Sequence, residues 1–197
     1  MSDRKRKYEK KARAEAEAQT RLRITESAVE LHGTLGPAQT TMSAVAEHAG
    51  VRRSTLYRHF PDERALFGAC SAHWAEANPP PDISRWPAID DPAERLDVAL
   101  AELYAFYGRN EEMIDRLLRD APTVPVVDEL MGGFRAFLEE AEKILMRGRG
   151  LRGNAAKRTR AAIGHAVAFR TWQDLTRAQG LEDVQAVGLM SALVASA

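Results

Sequence analysis

Apolar positions recur along most of this chain at helical spacing, and sustained alternation of apolar and polar residues is found nowhere. Ile24, Ala28, Leu31 and Leu35 keep the helical repeat, so a first helix is expected whose packed part begins near Arg21 and which ends at Gly33, Gly36 and Pro37. Thr40 and Thr41 offer hydroxyls to cap a short second helix, residues 42–49, with Val45 and Ala46 facing inward. Gly50 follows where a left-handed turn residue is needed. In the next stretch, Gly50 to Phe60, Leu56 and Phe60 fall on one helical face while Ser54, Thr55, Tyr57 and Arg58 fan over the opposite one. Such a helix is held from behind and shows a polar, mostly cationic front. Asp62 can cap a fourth helix running to about Asn78, with Leu66 and Phe67 on its buried side.

Residues 78–91 hold four prolines and read as a linker. Asp91, Pro92 and Glu94 then make a strong helix start for a segment carrying Leu96, Leu100, Leu103, Tyr104 and Tyr107. Asn110 is expected to cap a shorter helix through Leu118, and Pro122 and Pro125 precede a long one, residues 126–147, that Gly132 and Gly133 could bend. Gly148, Gly150 and Gly153 form a loose connection. Asn154 is expected to cap a helix ending at Gly180, and residues 181–194 make the last. The expected fold class is all-α with about nine helices.

Charge adds an asymmetry that the pattern does not show. The 197 residues carry 28 basic and 28 acidic side chains. Residues 1–60 hold 12 Lys/Arg against 7 Asp/Glu, and residues 61–197 hold 16 against 21. A basic half and an acidic half are expected where only one end meets a polyanion. Within residues 4–13, Arg4, Lys5, Arg6, Lys7, Lys10, Lys11 and Arg13 stand against the single acid Glu9. That run reads either as a solvated tail or as a DNA-seeking arm. One cysteine, Cys70, allows neither an intrachain disulfide nor a thiolate metal cluster. With no signal-peptide pattern and no apolar run of about 20 residues, a cytoplasmic location and no membrane partner are expected.

Two short helices joined by a glycine turn and braced by a preceding helix describe a helix-turn-helix. Its second helix is short enough to lie along a major groove and begins with phosphate and base donors, Arg52, Arg53, Ser54 and Thr55. The stretch from Arg23 to Phe67 also resembles the N-terminal domain of the TetR family of bacterial transcriptional repressors. Ala28, Gly36, Thr41, Val45, Ala46, Ala49, Gly50, Val51, Leu56, Tyr57, Phe60 and Leu66 stand at that family's spacing. The resemblance implies that Thr41, Tyr57 and His59 hold backbone phosphates of double-stranded DNA. It also implies that Arg53, Ser54 and Thr55 lie nearest the bases, with Arg52 and Arg58 at the flanks. Arginine pairs bidentately with guanine, which makes Arg53 the first candidate for base readout. Where the family carries a phosphate-touching lysine, this chain has Glu63, and Arg64 is the candidate substitute.

The resemblance further implies a homodimer whose C-terminal domain binds a small molecule. The expected organisation is a basic arm at 1–20, a helix-turn-helix domain at 21–67, and a larger helical ligand-binding and dimerisation domain at 68–197. Candidate pocket residues are Tyr104, Tyr107, Met113, Leu117, Met131, Phe134, Phe137, His165, Phe169 and Trp172, a set suited to a mainly apolar or aromatic effector. His165 is its candidate polar contact, and Trp86 could close the pocket or pack on it. Ala162, Ala166, Phe169, Val184, Val187, Met190 and Leu193 form stripes on the last two helices that suit a contact between protomers, or the monomer core. The fourth helix is the expected hinge. No phosphate loop, HExxH, nucleophile elbow or Cys/His ligand cluster is present, so no catalytic residue, metal or cofactor is assigned. The competing readings are a DNA-binding regulator controlled by a protein partner and, more remotely, a helical enzyme.

Overall fold

The computed structural model describes residues 2–197, with side chains described from Arg6 onward. Of the proposed arm, Met1 and the side chains of Arg4 and Lys5 lie outside the described residues. Among the described residues nine α-helices follow one another: α1 Ser2–Thr34, α2 Met42–His48, α3 Arg53–His59, α4 Glu63–Ala77, α5 Pro92–Asp120, α6 Pro125–Met146, α7 Gly153–Ala166, α8 Phe169–Gln173 and α9 Asp183–Ser196. No strand occurs among the described residues, so the fold is all-α as the spacing predicts. None of the described helices is long and apolar enough to cross a membrane.

The chain divides into two compact units. The first comprises the residues up to Asn78 together with Glu112–Met131; the second comprises Pro79–Glu111 and Gly132–Ala197. Helices α5 and α6 therefore each supply residues to both units. The fourth helix, the expected hinge, lies wholly within the first unit, and it is α5 and α6 that run from one unit into the other.

In the first unit α1 buries Ile24 and Ala28 completely. The repeat predicted Leu35 on that face, yet Leu35 is exposed and His32 takes the buried position instead, its ring stacked on Phe67 at 4.4 Å. The Cys70 thiol lies 3.5 Å from His32 Nδ1. Burial drives the His32 imidazole down from 6.5 to about 4 and pushes the Cys70 thiol up to about 12, so both groups are neutral packing elements. The end of α5 is tied to the turn after α1: Asp120 Oδ2 accepts from the Ala38 amide at 2.9 Å, and Arg119 donates to the Leu35 carbonyl at 3.1 Å.

In the second unit local expectations give way at Asn110, at Asn154 and in the helix expected up to Gly180. Asn110 does not cap a new helix; it is buried inside α5, where its Nδ2 donates to the Phe106 carbonyl at 2.8 Å, and no proline follows before Asp120 to stop the helix. Gly132 and Gly133 lie within α6, which runs on through them. Conversely, the single helix expected up to Gly180 is interrupted. The chain leaves helical geometry at Ala168 (ψ 134°), resumes as α8, and widens into a π turn over Asp174–Ala178. Two tyrosines seal the interruption. Tyr104 donates its hydroxyl to the Ala166 carbonyl at 2.8 Å, and Tyr107 to the Val167 carbonyl at 2.6 Å. Carbonyls freed by the break thus keep buried partners. The helix N-cap of α7 is Arg152, with Asn154 already inside the first turn. The proline-rich stretch is ordered by a 3-10 helix, Ile83–Ala88, that buries Trp86 and directs its indole N–H to Glu102 at 2.9 Å.

Candidate functional site

The turn between α2 and α3 is built from main-chain bonds that only a left-handed residue permits. Gly50 has φ +63°, and its amide donates to the Glu47 carbonyl at 3.0 Å while the Val51 amide donates to Ala46 at 2.9 Å. Thr41 caps α2: its Oγ1 accepts from the Ala44 amide at 3.1 Å, which leaves the hydroxyl proton free to donate elsewhere. Behind α3, Leu56 and Phe60 are fully buried. Arg21 of α1 locks the end of that helix, with its guanidinium 4.1 Å above the Phe60 ring and a 2.7 Å bond to the His59 carbonyl.

With its back fixed, α3 presents the rest. Arg52, Arg53, Ser54, Tyr57 and Arg58 are exposed, and Thr55 is half-buried. None of the three arginines is engaged in an ion pair among the described residues. His59 is also half-buried, but its Nε2 is covered by protein and has no hydrogen-bond partner. Arg64 differs from the others. Its guanidinium holds both carboxylate oxygens of Glu129 on α6, at 2.6 and 2.5 Å. Their hydrogen bond and charges raise the guanidinium above its ordinary value and lower the carboxyl. Glu129 was not among the residues expected at this site; nothing in its sequence surroundings distinguishes it from other helix-surface acids.

The second unit gathers part of the predicted pocket set. Tyr104, Tyr107, Phe169 and Trp172 are buried within it. Tyr107 is the hub, with ring centroids 5.4 Å from Phe169, 5.9 Å from Trp172 and 6.4 Å from Phe134, which in turn stacks on Phe137 at 6.2 Å. Burial raises both tyrosine hydroxyls well above their ordinary value. Met113, Leu117 and Met131 are not in this cluster; they belong to the first unit, where Met113 approaches Gly33 of α1. His165 is exposed, with its Nδ1 3.2 Å from Thr171 Oγ1.

The residues expected between protomers divide in two. Ala166, Phe169 and Met190 are buried within the chain itself, and Ala162 and Val187 are half-buried. Val184 and Leu193 are exposed, at 72 % and 42 %, and Leu189 joins them at 48 %. Leu189 was missed, although it stands one helical turn from Leu193. Helix α9 is therefore apolar inward through Ala186, Met190 and Val194 and apolar outward as well.

This geometry, a short cationic helix set on a glycine turn, is that of a DNA-binding head. Residues 24–70 match the model of the tetR family of bacterial regulatory proteins. The matched segment spans α2, the Gly50 turn, α3 and parts of the two helices that flank them, and is similar to that family's helix-turn-helix DNA-binding domain. No curated protein matches the chain. Among solved structures, it is similar to a Clostridium perfringens protein provisionally named as a regulator of fatty acid metabolism (TM-score 0.63, 17 % identity, 87 % of this chain and 96 % of that one). A TetR-like transcriptional regulator from Rhodococcus sp. RHA1 gives TM-score 0.61 at 21 % identity over 89 % and 93 % of the two chains. A TetR transcription regulator from Haloarcula marismortui gives 0.56 at 15 % over 91 % and 96 %. At these identities the likeness is one of fold.

Proposed function

We propose that this DNA-binding regulator is a cytoplasmic, homodimeric repressor that binds a palindromic operator and is released by a small, mainly apolar or aromatic effector. The observation that carries the DNA reading is the free cationic face of α3, with Leu56 and Phe60 buried behind it. Arg53, Ser54 and Thr55 read base edges; Thr41 and Tyr57 donate to phosphates; Arg52 and Arg58 flank them. His59 steadies α3 more than it reaches outward, since its Nε2 is covered. Arg64 joins the phosphate contacts only by leaving Glu129. Residues 1–20 serve as a basic arm, 21–67 as the reading head, and 68–197 as the effector and dimer domain.

The exposed Val184, Leu189 and Leu193 supply the dimer face, since apolar side chains at these exposures gain by burial against a second copy. An apolar effector enters by parting the rings around Tyr107. Because the Tyr104 and Tyr107 hydroxyls close the α7–α8 interruption, parting those rings also disturbs that joint. The effector then favours the conformation in which the rings are apart, and operator affinity falls by the coupling free energy.

Selection of operator fragments from random duplex DNA, followed by gel shifts at fixed salt, tests the core of this reading. Arg53→Ala combined with Tyr57→Ala should abolish specific binding without changing the sedimentation coefficient. Specific binding that survives both changes overturns it. Thermal melting against a library of aromatic and aliphatic compounds tests the effector, because a ligand of the folded state must raise the melting temperature.

A further inference from the structure

Residues 147–160 carry six basic side chains and no acid, in a half of the chain that is acidic as a whole. Two of the six are neutralised: Arg147 faces Glu140 at 3.9 Å and Arg160 faces Glu142 at 3.5 Å. Arg149, Arg152, Lys157 and Arg158 have no carboxylate partner among the described residues. Arg149 and Arg158 line a cleft of about 530 Å³ whose apolar wall includes Leu151, Ala155 and Val194.

Positive charge accumulates there beyond what local capping uses. Arg149 donates to the Leu145 and Pro92 carbonyls, both at 2.9 Å. Arg95 is buried beside it, donating to Ile89 at 2.7 Å and also to Arg147, while its Nε has no partner. Gly148, on the cleft wall, covers Arg95: a Cβ there would come within 3.7 Å of Arg95 Nη2. Two of these carbonyls, Leu145 and Arg147, stand at the end of α6, and two, Ile89 and Pro92, at or just before the start of α5, but neither guanidinium is in an ion pair among the described residues. Burial and the Arg95 charge lower Arg149 from its ordinary value, with Asp91 opposing. The N-cap of the 14-residue α7, Arg152, offers no side-chain acceptor, so the first-turn amides add their positive end to the same place. The acidic side chain at the cleft is Asp91, whose Oδ1 already accepts from the Ala93 amide at 3.1 Å.

We propose that this cleft binds a small organic phosphate, with its head between Arg149, Arg158 and the first turn of α7 and a short apolar group against Leu151, Ala155 and Val194. Several unpaired cations and a helix N-terminus favour a dianion over a carboxylate. A concave cleft with an apolar wall suits a small molecule, whereas a DNA duplex is met by a convex helix such as α3. The site is separate from the aromatic cluster around Tyr107 and does not depend on the operator reading.

Calorimetric titration of the full chain at constant ionic strength, with hexyl phosphate, inorganic phosphate and hexanoate as probes, tests it. Hexyl phosphate should bind saturably, one per chain, and more tightly than inorganic phosphate or hexanoate. Arg158→Ala should weaken it about tenfold, and Arg158→Glu further. Arg158 is exposed, so both variants should keep the wild-type melting temperature. Arg149 is left intact because it caps α6. Three results would overturn the assignment: binding that does not saturate, binding indifferent to Arg158, or hexanoate binding as tightly as hexyl phosphate. A fourth is Arg158→Glu weakening only non-specific duplex DNA, which makes the patch a backbone contact instead.

Discussion

Helices α3 and α9 are built on one plan and finished with opposite chemistry. Each is pinned by a narrow inward row: Leu56 with Phe60 just beyond α3, and Ala186, Met190 and Val194 on α9. Each leaves its other faces uncovered. On α3 those faces carry Arg53, Ser54, Tyr57 and Arg58; on α9 they carry Val184, Leu189 and Leu193. A helix fixed from one side delegates its function to the other, and the residue types there select the partner. Cations and hydroxyls favour a polyanion; branched apolar side chains favour another apolar surface.

The inward rows carry the largest effects. Leu56 is fully buried, and Leu56→Ala should cost about 3 kcal/mol in urea unfolding and carry DNA binding away with it. An Arg53 change should cost binding alone. The packing of α1 on α4 should also be sensitive to acid through His32. Its folded value of about 4 lies below the ordinary 6.5, so the unfolded chain takes up the proton first. Stability is then complete above pH 6.5 and falls as the pH drops towards 4, by about 3 kcal/mol. Melting curves across that window should flatten in His32→Gln; an unchanged slope would assign the acid sensitivity elsewhere.

The outward faces come next. Leu189→Asp combined with Leu193→Asp should weaken self-association about a hundredfold in sedimentation velocity while helicity is kept. A helical spectrum lost along with association would mean that the outer face of α9 is structural. Arg53→Ala should lower operator affinity by about 1–3 kcal/mol at fixed salt, and by less for unrelated sequence. A uniform loss across sequences would reassign Arg53 from base to backbone. The smallest effect is expected of Glu129→Gln, which frees the exposed Arg64. A modest gain in DNA affinity with a steeper salt dependence is the outcome that places Arg64 among the phosphate contacts.

Much of the first unit was legible in the sequence because its determinants are local. Gly50 announces the turn, Thr41 and Asp62 the caps, and Leu56 the anchored face, and each acts within a few residues of itself. Leu35 shows where that legibility ends. Its spacing was right for the core, but the α1 helix turns His32 inward against Phe67, a residue 35 positions away. Glu129 was invisible for the same reason, since its partner Arg64 lies on another helix. In the second unit the aromatic positions were evident, yet their grouping was not. Met113, Leu117 and Met131 share a helical period with the cluster and belong to the other unit, and His165 is exposed.

The sequence by itself determined the all-α character, the glycine-hinged reading head, the cationic front of α3 and the apolar richness of α9. Each follows from side-chain spacing and from conformations that single residues impose. Only the tertiary structure decided that α5 runs on through Asn110, that the helix after Gly153 breaks at Ala168, and which face of α9 stays uncovered. Those outcomes hang on bonds across 60 or more residues, such as Tyr104 to Ala166, or on burial against neighbouring helices. Helical periodicity says which residues share a face; what lies against that face depends on how distant parts of the chain meet.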